Sequence, residues 1–192
     1  MEKEIVAFLQ QIEELKSTLR HSWTKKGRQE SSAEHTWRIA VFFFLIYDIY
    51  KPALDPLKTI KMILIHDIPE LLHGDIPAWM KEIDSTKFDS HKEREKESAK
   101  KIFARLPQQL RREYTELFQE FEEKETVEAR MANALDKIES QLQHLDAGPA
   151  SWSKEERGEH MIHYPDAVVA KVNFPPISRI WELILEEIKK VT

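Results

Sequence analysis

The sequence predicts an all-α fold of the helical-bundle type, and three observations predict it. The 192 residues hold only four glycines and are dense in Leu, Ile, Glu and Lys. Apolar residues recur at helical spacing through most of the chain. Local start signals precede the two most apolar stretches: a capping box at Ser31-x-x-Glu34, and Asp55-Pro56, an N-cap followed by proline at the first helical position. The length suits one domain with a core of useful size.

Taken in order, residues 2–19 read as a helix with Ile5, Phe8, Leu9, Ile12, Leu15 and Leu19 on one side. An irregular basic stretch follows, carrying Arg20, Lys25, Lys26 and Arg28. The second helix starts at the Ser31 box and is strongly apolar over 36–50, so it reads as buried and ends before Pro52. The third starts at Pro56 and runs through His66-Asp67. Pro69 withdraws one backbone donor there and should kink it. Gly74 can end it, and Asp75-Ile76-Pro77 reads as a turn. Residues 88–106 form a charged helix, and another starts at Pro107. Residues 125–145 give a helix with Met131, Leu135, Ile138 and Leu142 along one face. The segment 146–154 is a loop. A capping box at Ser153-x-x-Glu156 predicts a short helix after it, and Pro175-Pro176 starts the last helix, over 177–191.

Composition excludes several functions. Twenty-nine basic and thirty-four acidic side chains leave a formal charge of −5, which argues against nucleic acid or an anionic membrane as the main partner. No apolar run approaches a bilayer span, and no leader pattern is visible, so a soluble cytoplasmic protein is expected. Without cysteine there are no disulfides and no thiolate ligands. Any metal must be held by imidazole and carboxylate.

The chain is organised around Met62 to Asp75. Ile63, Leu64, Ile65, Ile68, Leu71 and Leu72 surround His66, Asp67 and Glu70. Ionisable groups in so apolar a segment cost several kcal/mol unless paired or bound to a cation. On a helix, His66 and Glu70 share a face at i, i+4. His35 in the first turn of the second helix and Asp136 beside the stripe of a later helix are further ligand candidates. Taken alone, His35 also suits an ordinary helix start, Asp75 a turn, and Asp136 a boundary carboxylate paired to Lys137 or Arg130. His160 and His163 stand at i, i+3 like a metal pair, but no apolar wall or partner carboxylate accompanies them.

Ser31-Ser32-Ala33-Glu34-His35-Thr36, His66-Asp67-Ile68-Pro69-Glu70 and Gly74-Asp75-Ile76-Pro77 together resemble the HD-domain phosphohydrolase superfamily, and within it the 5′-deoxynucleotidase-like branch. That branch carries an Arg fifteen residues before the first His, where Arg20 stands, and a Glu and an Asp after the second, matching Glu70 and Asp75. Its last ligand, an Asp on a later helix, matches Asp136. The resemblance covers about residues 15–145 and leaves 150–192 as a C-terminal helical extension of one HD domain, 1–192. The branch's best-known type has Trp after the Arg; this chain has His21.

The resemblance implies an HD-domain helical bundle, often homodimeric, and hydrolysis of a small phosphate ester such as a nucleoside 5′-monophosphate. It implies one divalent ion (manganese, cobalt, zinc, iron or magnesium) on His35, His66, Asp67 and Asp136. Arg20 would take the phosphate, Glu70 handle a proton and Asp75 meet the sugar. Residues 25–28 could add to phosphate capture. Two other readings fit the motif: a di-iron oxygenase of the same fold, for which His73 and His91 are the available extra imidazoles, and a non-catalytic module stabilised by its metal.

Overall fold

The computed structural model describes residues 1–192, the side chain of Glu82 excepted. Helix α1 spans Glu2–Ile12 and tightens into a 3-10 turn at Glu13–Lys16. It therefore stops short of the expected residue 19. The next residues form strand β1 (Leu19–Trp23), paired antiparallel with β2 (Gln29–Ser31). The basic stretch expected to be irregular is this hairpin. Its loop closes through Gly27, at φ +80°, whose N–H donates to the Thr24 carbonyl at 2.9 Å. The pleat is inverted: Arg20 and Ser22 are buried while Leu19 and Trp23 are exposed. A hairpin that buries its polar face is one built to present that face inward.

Helix α2 spans Ser32–Tyr50, and the predicted capping box starts it. The Glu34 N–H donates to Ser31 Oγ, and the Ser31 N–H donates back to Glu34 Oε2. Lys51 closes the helix in the left-handed region, directly before Pro52. Only one face of α2 is buried, through His35, Ile39, Phe43 and Ile46. The expectation of a wholly buried helix is corrected on the other face, where Trp37, Leu45 and Ile49 are 65%, 57% and 67% exposed.

Helix α3 spans Pro56–Ile65, with Asp55 accepting from the Leu57 and Lys58 amides. It does not run through the His-Asp pair. It ends at Ile65, and a 3-10 turn over Ile68–Leu72 follows. Proline at 69 cannot donate to the Ile65 carbonyl, and its ring crowds that turn. The chain answers by ending the α-helix one residue before His66 and tightening to i, i+3 bonds, with the Glu70 N–H donating to the Asp67 carbonyl at 3.0 Å.

The short α4 (Met80–Ile83) leads into α5 (Ser85–Phe103), α6 (Gln108–Glu123) and α7 (Val127–Ala147). Helix α7 is the axis of the fold and packs against α2, α3, α6 and β1. Met131, Leu135 and Ile138 lie buried along it. Fully burying side chains of this size stabilises by about 1.5–3 kcal/mol each. The Ser153–Glu156 box forms its hydrogen bonds but caps a turn, not a helix. The helices there come later, as α8 (Glu159–Ile162) and α9 (Asp166–Val172). Helix α10 (Pro175–Val191) starts at its two prolines and packs Ile177, Trp181, Ile184 and Ile188 inward, against α7 and α9. These residues belong to the same buried cluster as Phe43 and Met131.

Candidate active site

Four elements converge on one point. Helix α2 brings His35, the end of α3 brings His66 and Asp67, α7 brings Asp136, and β1 brings Arg20. All five side chains are buried. One donor atom each from His35, His66 and Asp136 lies within 4.8 Å of the others. His35 Nε2 is 3.1 Å from Asp136 Oδ1 and 3.9 Å from Asp67 Oδ2, and His66 Nε2 is 3.0 Å from Asp67 Oδ1.

The imidazoles are aimed from behind. His66 Nδ1 donates to the Ile63 carbonyl, and Nε2 lies 3.0 Å from Asp67 Oδ1 without the geometry of a hydrogen bond. His35 Nδ1 is bonded to Glu139, whose other oxygen forms an ion pair with Arg38 Nε at 2.8 Å. A carboxylate behind an imidazole is the usual support of a metal ligand. These residues fit a divalent cation: donor atoms of His35, His66 and Asp136 lie within 4.8 Å of one another, and Asp67 sits beside them, with one oxygen 3.0 Å from His66 Nε2. Glu139 was not a predicted site residue. The available signal was its position one turn beyond Asp136, on the same helix face.

The charges match. Burial and Arg20 work against a proton on His35, but Glu139 and Asp136 outweigh them and raise it to about 10. Burial also opposes the charge on Asp136, yet Lys137, at 2.9 Å, and His35 hold it well below the usual carboxylate range. Asp136 is thus both the boundary carboxylate paired to Lys137 and a member of the cluster.

Arg20 is less free than a phosphate-binding residue in an open loop. It reaches Asp67 at 3.4 Å, Glu30 at 3.5 Å and Ser140 Oγ at 3.2 Å. Burial opposes its charge, and the ring of Asp75, Asp67, Glu70 and Asp136 more than restores it. Glu70 accepts from Ser32 Oγ at 2.6 Å. Burial first, then Asp67 and Asp75, push it well above the ordinary carboxylate range. Asp75 Oδ2 takes the backbone N–H and the ring Nδ1 of His21, at 3.3 and 2.7 Å. Despite burial, Arg20 and His21 keep Asp75 far below its ordinary value.

Arg20, His66, Asp67, Glu70, Asp75 and Asp136 share the wall of one cavity of about 300 Å³. The remaining predicted groups lie elsewhere. Arg28 pairs with Glu34 in the open. His73 and His91 face each other 6.5 Å apart, and His91 pairs with Glu95, not with the cluster. His163 bonds Asp166. Among the described residues, no metal-holding group includes any of these histidines.

A helical fold that closes imidazoles, carboxylates and an arginine round a polar cavity defines the class, a metal-dependent phosphohydrolase. The chain belongs to the HD-domain family, whose model matches residues 12–168. It is 29% identical over 181 residues to human 5′-deoxynucleotidase HDDC2, covering 93% of this chain and 83% of that one. It is 32% identical to the Schizosaccharomyces pombe 5′-deoxynucleotidase hdd1, over 70% of this chain and 68% of that one. The structure of a predicted metal-dependent phosphohydrolase from Magnetospirillum magnetotacticum is similar, with a TM-score of 0.79 and 28% identity, over 96% of this chain and 93% of that one.

Proposed function

We propose that the chain hydrolyses nucleoside 5′-monophosphates to nucleoside and phosphate, with one divalent cation held by His35, His66, Asp67 and Asp136. The observation that carries this reading is the close group of His35, His66 and Asp136 beside a cavity lined by His66, Asp67, Asp136, Arg20, Glu70 and Asp75. The names of the human and yeast relatives support the substrate class. A divalent cation held by His35, His66, Asp67 and Asp136 would supply Lewis-acid chemistry, lowering the pKa of a bound water and polarising a phosphate oxygen.

The other roles fall to the chain's own residues. Arg20 offers a rigid fork of donors to phosphate oxygens and stabilises charge that grows in the transition state. Water adds to phosphorus, the bond to the sugar 5′ oxygen breaks, and a proton must reach that oxygen. Glu70, buried and pushed towards neutral, is suited to move it. Ser32 fixes the orientation of Glu70. Asp75 keeps one oxygen on His21 and has the other for a sugar hydroxyl.

Three broader readings belong with it. The continuous buried cluster from Phe8 to Ile188 supports one domain over the whole chain. We read the chain as a cytoplasmic enzyme; among the described residues no helix is long and apolar enough to cross a membrane. The exposed apolar face of α2 supports a homodimer.

A phosphate-release screen tests the proposal. Nucleoside monophosphates, ribo and deoxy, and sugar phosphates are each assayed with manganese, cobalt, zinc, iron and magnesium. Release from 5′-monophosphates above all others is expected. Release from sugar phosphates alone would overturn the substrate, and no release with any metal would favour the metal-stabilised module.

A further inference from the structure

The cavity has a second set of converging donors that the proposed reaction does not use: His21, His144 and Glu156. They come from strand β1, the last turn of α7 and the loop after it. Three hydrogen bonds lock these elements together. Gln143 Nε2 donates to the Trp23 carbonyl at 2.6 Å and ties β1 to α7. Trp152 Nε1 donates to the His144 carbonyl at 2.7 Å and ties the loop to α7. The Ser153 N–H donates to Glu156 Oε2 at 2.6 Å, which holds one carboxylate oxygen and aims the other.

That other oxygen, Glu156 Oε1, lies 3.5 Å from His21 Nε2 and 3.9 Å from His144 Nε2. These separations exceed good hydrogen-bond length. They are close to the spacing of donors round a tetrahedral ion, about 3.3 Å apart for bonds of about 2.0–2.1 Å. Behind His21, Asp75 Oδ2 sits 2.7 Å from Nδ1. It fixes the ring so that the Nε2 lone pair faces Glu156, the same carboxylate–imidazole support that Glu139 gives His35.

We infer that His21, His144 and Glu156 form a second divalent-cation site, distinct from the His35–His66–Asp136 cluster and opening into the same cavity. Two imidazoles and one carboxylate select a borderline ion such as zinc or cobalt over magnesium or calcium. Three protein donors leave positions for water or for an oxygen of a bound molecule. The site is independent of the identity of the substrate.

Equilibrium dialysis of the full chain against zinc, and separately cobalt, tests this. The wild type should hold two ions per chain. Glu156→Gln and His21→Ala should each hold one, and His66→Ala should hold one, at the second site. Circular dichroism establishes that each variant is folded; His21 and Glu156 lie on different elements, so one misfolded variant leaves the other to decide. A wild type that saturates at one ion overturns the inference. So do two ions retained in a folded Glu156→Gln or His21→Ala, or loss of both ions in a folded His66→Ala.

Discussion

The Nδ1–H of His66 donates to the carbonyl oxygen of Ile63 at 2.7 Å. A carbonyl can only accept, so this bond fixes the tautomer and leaves the Nε2 lone pair facing Asp67 and Asp136. The same bond satisfies a carbonyl in the last turn of α3. A local device that ends a helix therefore also aims a ligand. Under saturating metal, elemental analysis should find about one ion fewer in His66→Ala and in Asp67→Ala than in the wild type. An undiminished count in both variants would reject these ligands.

Glu139 is expected to act through His35. It is buried, and Arg38 holds its second oxygen at 2.8 Å. Glu139→Gln keeps the shape but weakens the hold on the imidazole. Losing such a partner typically lowers metal affinity about 10–100-fold. Competition with a metal-binding dye reads the change directly. An unaltered affinity would mean that His35 needs no support from Glu139.

The parts legible in the sequence were those decided within one or two turns. The Ser31–Glu34 box and the Asp55–Pro56 start each involve residues three or fewer apart, and both are formed as read. The end of α3 was not legible, because the apolar run continues past Ile65 and conceals the change from α-helix to 3-10 turn. The hairpin was hidden for another reason. Its buried alternate residues are Arg20 and Ser22, so the period-2 pattern is polar side inward and gives no hydrophobic signal. The carboxylates that surround Arg20 lie 10 to 116 residues further along the chain. Their convergence is a property of packing, which no local pattern records.

That burial changes what Arg20 does. Removing one partner of a buried ion network leaves charge unpaired and costs about 3–5 kcal/mol. Arg20→Ala should therefore lower both turnover and stability, because Asp67 and Glu30 lose their cation. Arg20→Lys keeps the charge but not the fork. It should recover stability in urea unfolding more fully than it recovers turnover. Equal recovery of the two would leave Arg20 a structural cation.

The outer face of α2 gives a test of assembly. Trp37, Leu45 and Ile49 stand exposed on it beside Val41, an apolar stripe on a charged protein. Trp37→Glu places a charge in that stripe and should shift a dimer to monomer in light scattering, with the helical content kept. A wild type that is already monomeric at tens of micromolar would remove the homodimer reading.

Glu70 separates an enzyme from a bundle that merely holds a metal. It lies in the 3-10 turn after Pro69, buried, with Ser32 Oγ 2.6 Å from one oxygen. Holding a buried carboxyl next to Asp67 and Asp75 is costly, and no guanidinium or ammonium forms a direct ion pair with it among the described residues. A structural carboxylate in that position would be better replaced by an amide. The proposed proton-transfer role would give the acid a use there, and such a role typically contributes about 10²–10⁴-fold in rate. Glu70→Gln keeps the shape and can still accept from Ser32, so Tm and metal content should hardly change while kcat falls by about that factor. Ser32→Ala should give a smaller fall, since it frees the carboxyl to turn without removing it. Metal loss in Glu70→Gln would instead place the residue among the ligands. Wild-type turnover in that variant, with saturating metal and the best substrate, would take Glu70 out of the chemistry and leave its burial without a function.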